Sequence, residues 1–185
     1  MKRLGKTFFF VPFIIYMIAM VPRYGLGEWV EVIAWISTYW VFRLGLKRDV
    51  SGEYIAGIML GATIEFLTEA YWDYNFEVYL YRDISLFVIM GWGYSFAYFL
   101  LFSELLYKAL TGSTVVRPHD YRILLCDAVV GPVWFIGNEF IGMHVLRLWT
   151  YSSAANWVHK IPVINYPIEG LVACVLFSLT FPTFI

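Results

Sequence analysis

Apolar residues gather along this chain into six stretches, roughly 7–22, 28–46, 52–72, 84–108, 121–148 and 163–185, parted by breaks that carry charges or turn residues. At 1.5 Å of rise per residue, each approaches or exceeds the length needed to cross ~30 Å of hydrocarbon. None alternates as a membrane strand would. The pattern predicts an all-α, polytopic integral membrane helical bundle with about six transmembrane helices, and no strands. Pro12 in the first stretch and Gly131-Pro132 in the fifth predict kinks. The first stretch follows Met1-Lys2-Arg3 and runs into Pro22-Arg23-Tyr24-Gly25, which lacks a small-x-small cleavage signature. It therefore reads as an anchoring helix and not as a signal peptide.

Composition sharpens this picture. Apolar residues, Tyr included, make up 61% of the 185 positions, charged residues only 15%, and there are 16 Phe, 14 Tyr and 8 Trp. A single core of this size cannot hide so much apolar surface, whereas lipid can accept it. The formal net charge of −1 and the absence of long basic runs exclude nucleic acid as a partner. Cys126 and Cys174 both fall in apolar stretches and match no zinc spacing, so they read as small membrane hydrophobes. Placing the N-terminus inside puts nine of the 13 Lys and Arg on the inner side, against Arg23, Arg82, Arg147 and Lys160 outside. The positive-inside rule then predicts a multi-pass protein of a bacterial inner membrane with both termini cytoplasmic, and outer loops at 73–83 and 149–162.

Those two loops carry an internal repeat. Trp72-Asp73-Tyr74 and Trp149-Thr150-Tyr151 share Trp-x-Tyr at an offset of 77 residues, and at the same offset Ile84 matches Ile161 and Gly93 matches Gly170. The expected organisation is one transmembrane domain over 1–185. It comprises two N-terminal helices in 1–50, a first helix pair in 51–110 and a second in 120–185. Two tandem helix pairs that start from the same side would be related by an axis along the membrane normal, with a site between them.

Ionisable residues inside such helices carry the functional signal, because even a lenient scale puts a charge at the bilayer centre at ~2.5–3.5 kcal/mol. Glu65 and Glu69 lie four apart in the third stretch, and Asn138-Glu139 lies in the fifth. Asp127, Gly131, Trp134, Asn138 and Gly142 form a stripe at helical spacing, and Glu169 is expected two turns into the sixth helix. Acids outnumber the nearby bases His144, Arg147 and Arg82, so at least one carboxyl is expected to be neutral and able to donate a proton. The competing readings are plainer. Glu69 and Asp73 fit a solvated interface, Glu139 an ion pair with Arg147, Asp127 a pair with Arg122, and Glu104 a helical pair with Lys108. His119, His144 and His159 form no ligand pattern, so neither a metal nor any other cofactor is expected.

Aromatics divide likewise. Trp72, Tyr74, Trp149, Tyr151 and Trp157 suit an outer interfacial belt. Trp92, Tyr94, Tyr98, Trp134 and Phe135 lie deeper, as packing rings or as walls that shelter a cation.

The run Asn138-Glu139, Trp149-Thr150-Tyr151, Ile161-Pro162 and Pro167-Ile168-Glu169-Gly170 resembles the small bacterial lycopene cyclase family and its carotenoid-hydratase relatives. Members carry an acid at the end of one helix, a Trp-x-aromatic in the next loop and a Pro-Leu-Glu-Glu type motif opening the following helix. Here the second Glu of that motif is Gly170, and the first repeat has Met90-Gly91-Trp92-Gly93 at the corresponding place. The resemblance implies a membrane enzyme without redox cofactor in the net reaction, acting on an isoprenoid polyene by acid catalysis. Glu169, Glu139, Glu65 and Glu69 would be its acids, and Trp92, Trp134, Asn138, Trp149 and Tyr151 its substrate-binding positions. The alternative is a non-enzymatic membrane protein, either a small transporter working as a homo-oligomer or a subunit of a larger membrane complex.

Overall fold

The fold is that of a computed structural model, which describes residues 29–117, 120–152, 159–161 and 166–180. The expected first helix, 7–22, lies outside these residues. The described chain is mostly helical. Helix α1 spans Trp29–Trp40 and runs into a π-turn at Val41–Gly45; α2 spans Ser51–Thr68 and ends in a 3-10 turn at Glu69–Tyr71. Helix α3 spans Leu86–Thr111, α4 Arg122–Phe140 and α5 Ile168–Thr180. Helix α4 passes through Pro132 without a break, and its irregularity comes later, in a π-turn at Ile141–Leu146.

The expectation of an all-α chain needs correcting in the two loops between helices. Among the described residues six short strands occur there: β1 Trp72–Tyr74, β2 Tyr79–Tyr81, β3 Ile84–Ser85, β4 Trp149–Tyr151, β5 Lys160–Ile161 and β6 Tyr166–Pro167. They form three antiparallel pairs, β1–β4, β2–β3 and β5–β6. Strands of two or three residues are too short for an alternating hydrophobic signal, so the sequence pattern passes over them. Among the described residues, two helices are long and apolar enough to cross a membrane, Leu86–Thr111 and Arg122–His144.

The chain divides into two compact units, with the division inside α3. The first holds α1, α2, the N-terminal part of α3 and strands β1–β4. Its tightest contact is between α2 and α3 at glycines. A Cβ on Gly57 would stand 2.7 Å from the Trp92 carbonyl oxygen, and one on Gly61 2.2 Å from Trp92 Cγ. Gly57-x-x-x-Gly61 puts two missing side chains on one helix face, so the helices approach to backbone distance.

In the same unit, β1 and β4 make the Trp-x-Tyr repeat physical. Trp72 pairs with Tyr151, Asp73 with Thr150, and Tyr74 with Trp149. Beyond the ends, Asn75 N–H donates to the Leu148 carbonyl at 2.7 Å and Ser152 N–H to that of Tyr71 at 3.0 Å. These two bonds are themselves one 77-residue offset apart, so the motif copies are related by a local two-fold through Asp73 and Thr150. The matches at Ile84/Ile161 and Gly93/Gly170 do not share this equivalence. Gly93 lies well inside α3 against Ile58 and the Tyr54 carbonyl, whereas Gly170 lies in the first turn of α5 against the Tyr166 ring.

The second unit holds the rest of α3 with α4, α5, β5 and β6. Helices α4 and α5 pack together at Gly131, where a Cβ would meet Ser178 Cβ at 2.5 Å. The Ser178 hydroxyl is turned back to its own helix and donates to the Cys174 carbonyl at 2.6 Å.

Candidate active site

The best-defined acid lies in the first unit. Glu65, 4% exposed, sits in the last turns of α2. The Tyr74 hydroxyl donates to its Oε2 at 2.5 Å, and the Trp92 indole N–H donates to Oε1 at 2.9 Å. Each partner comes from a different element, β1 or α3, and each depends on a feature already described. Gly61 leaves the space that Trp92 occupies one turn below Glu65, and the strand at Trp72–Tyr74 brings Tyr74 back over the helix end.

The strand geometry explains the aromatic wall. Positions 71/152 and 75/148 carry the ladder hydrogen bonds. The pairs 72/151 and 74/149 are therefore the non-hydrogen-bonded ones, where facing side chains come closest. With a period of two, all four rings share one face. Trp72 and Tyr151 lie 4.9 Å apart, Tyr74 and Trp149 6.2 Å, and Trp72 and Tyr74 6.5 Å, with Phe76 a further 6.0 Å from Tyr74. Asp73 and Thr150, on the other face, are exposed. Tyr74 reaches the acid, and Trp72, Trp149 and Tyr151 are half-buried rings of the same cluster; Trp157, the other aromatic of the expected belt, lies outside the described residues.

Chemically, the two bonds on Glu65 are unequal. An indole N–H can only donate, so Oε1 is held as an acceptor whatever the protonation state. A phenol both donates and accepts, so the short Oε2–Tyr74 contact accommodates a proton on either oxygen. Among the described residues no Lys, Arg or His pairs with Glu65.

The other expected acids stand elsewhere. Glu69 does not join Glu65 on one helical face, because α2 gives way to the 3-10 turn at Glu69 itself; its carboxylate pairs with Arg82 at 3.3 Å. Glu169 belongs to the first turn of α5 and is not two turns inside it; its side chain is 46% exposed, 3.7 Å from His159 Nδ1. Asn138 and Glu139 are half-buried at the end of α4, and Gly142 is buried in the π-turn that follows. Trp134 packs at a tilt against Phe102 at 5.3 Å and Tyr98 at 5.8 Å in the second unit. Asp127 is not an ion-pair partner of Arg122, whose guanidinium holds Asp120 at 2.7 Å. Glu104 and Lys108 do pair, at 3.3 Å.

Two participants escaped the sequence pattern. Tyr74 follows Glu65 by nine residues, a spacing that no single helix or strand brings together. Glu31, 4% exposed in α1, accepts from the Tyr94 hydroxyl at 2.8 Å. Its place near the start of an apolar stretch, after Arg23 and Glu28, makes it resemble boundary charge. No group of three or more His, Cys, Asp and Glu among the described residues could hold a metal ion.

No protein-family model, curated protein or solved structure matches the chain.

Proposed function

We propose that this protein is an integral membrane, multi-pass enzyme that modifies an isoprenoid or carotenoid polyene, as a cyclase or hydratase, by carboxylic-acid protonation, with Glu65 as the acid. The observation that carries the reading is the Glu65 carboxyl, buried without a basic partner among the described residues and bonded to an indole and to a phenol that belongs to a four-ring cluster with Trp72, Trp149 and Tyr151. Oε2 delivers its proton to a terminal carbon–carbon double bond. The electron pair of that bond forms the new C–H bond and leaves a tertiary carbocation. Ring closure followed by loss of a proton gives a cyclic isomer; capture of water followed by loss of a proton gives an alcohol. In both, the proton balance returns the carboxyl to its starting state, with Tyr74 able to share the proton while Trp92 fixes the other oxygen. Aromatic faces attract a cation by about 0.5–2 kcal/mol each, which suits the intermediate.

Membrane placement is supported by large apolar side chains exposed at helical spacing. Leu125, Val129 and Val133 follow one another by four on α4, as do Ile168, Val172 and Leu176 on α5, while Ile55 and Met59 do the same on α2. Such faces suit lipid. A direct test expresses the chain in bacteria that accumulate lycopene and follows the pigment by absorption spectrum and chromatographic retention. A new, blue-shifted or more polar pigment that disappears with Glu65→Gln is expected. Unchanged lycopene beside folded, membrane-inserted protein would sink the carotenoid assignment.

A further inference from the structure

We propose that Asp127 and Ser103, in the second unit, form a proton-holding site separate from Glu65. Asp127 on α4 is 1% exposed and Ser103 on α3 is 0% exposed. Neither carboxylate oxygen of Asp127 nor the Ser103 hydroxyl has a hydrogen bond of normal geometry among the described residues, although the Ser103 hydroxyl lies within reach of the Asp127 carboxyl. Two buried polar groups left open side by side are costly unless something completes them.

The surrounding charges are already committed. Arg122, on the same helix, holds Asp120 through bonds of 2.7–3.1 Å, and the Tyr107 hydroxyl of α3 donates to Asp120 at 2.6 Å. Lys108 of α3 pairs with Glu104. On α5, Cys174 lies 3.5 Å from the Tyr166 hydroxyl, and Cys126 beside Asp127 is a buried thiol. Among the described residues no cation is thus directed at Asp127. A single proton completes the pair without moving any helix. Protonated Asp127 donates to Ser103 Oγ, and rotation of the Ser103 side chain, whose hydroxyl has no bond as it stands, lets it donate to the carbonyl of the preceding helical turn, a bond helical serines often make. A metal ion fits less well, since three oxygens are too few to surround it. Ionisable groups placed this way inside apolar helices mark proton-handling positions.

Infrared difference spectra of the full chain in lipid vesicles at pH 7 test the site. The wild-type minus Asp127→Asn spectrum should contain the C=O stretch of a protonated carboxyl, shifted down in D2O, and Ser103→Ala should move that band upward. A pair of ionised-carboxylate bands in its place overturns the proposal. So does an acid band that disappears when sodium replaces choline, which makes the site a cation site. Should Asp127→Asn fail to fold, the Ser103→Ala spectrum decides, and an acid band that does not move overturns the proposal.

Discussion

The two Trp-x-Tyr segments are preceded and followed by the same parts, and the difference between them is where chemistry concentrates. Asp49 and Asp120 each receive the backbone N–H two residues on, of Ser51 and Arg122, at 3.0 and 3.1 Å, and so open α2 and α4 alike. Each helix then leads to a Trp-x-Tyr strand, a hairpin and a further helix. Between cap and strand the copies diverge: α2 leaves by a three-residue 3-10 turn and α4 by a six-residue π-turn. In the first copy the short exit lets Tyr74 reach Glu65, and the helix after the hairpin supplies Trp92. In the second, the acid after the hairpin is Glu169, which faces outward beside His159. The comparison teaches that two segments of like pattern need not carry like sites, because the exit turn of the helix decides which side chain meets which.

The sharpest way to break this comparison is to remove the acid from each copy. Glu65→Gln keeps the acceptor for Trp92 and loses the transferable proton, so product formation should fall at least ~100-fold. Glu169→Gln should leave it within about twofold. Chromatography of pigment extracts, normalised to folded protein, reads both; equal losses would return the second copy to the chemistry. Next in size is Gly61→Ala, whose Cβ would overlap Trp92 Cγ at 2.2 Å. Overpacking of this kind costs about 1–3 kcal/mol. It should appear as a lower Tm together with an altered Trp fluorescence spectrum.

Tyr74→Phe removes the 2.5 Å bond and leaves the ring stack in place. A stability loss of about 1–2 kcal/mol is expected, with activity reduced but measurable. Denaturant midpoints and initial rates measured on the same preparations would separate the two effects. The smallest effect concerns the caps. Hydrogen bonds from the Ser51 side chain and backbone, and then from Arg43, lower the Asp49 carboxyl from 3.8 to about 2. A carboxyl lowered in the folded state stabilises above its unfolded value and loses that contribution as pH falls through its folded value. Wild type should therefore lose its advantage over Asp49→Asn between about pH 4 and pH 2, seen by thermal unfolding as converging midpoints. Asp120 is held still lower, chiefly by the Arg122 side chain and Tyr107, and should follow the same course.

The helices were legible because apolar runs need no knowledge of their partners: α1 to α5 all fall within, or within a few residues of, the expected stretches, although among the described residues only Leu86–Thr111 and Arg122–His144 have the length and apolarity to cross a membrane. The Trp-x-Tyr repeat was legible too, since two rings at a spacing of two survive any change of context. What was not legible was phase. Glu65 and Glu69 share a face only if the helix continues, and a sequence does not announce a 3-10 turn. An apolar stretch that starts at residue 163 places Glu169 deep within it, whereas β6 occupies Tyr166–Pro167 and α5 opens after it. The Tyr74–Glu65 contact was not legible because the two side chains lie on elements of different period.

The β1–β4 ladder has one further consequence. A strand that pairs antiparallel with its own equivalent is self-complementary, so each partner offers the other the same surface. Two separate half-length chains, each with one Trp-x-Tyr segment, would make this ladder between subunits as an isologous contact. Fusion would then fix that pairing within one polypeptide and free one half to change without its twin.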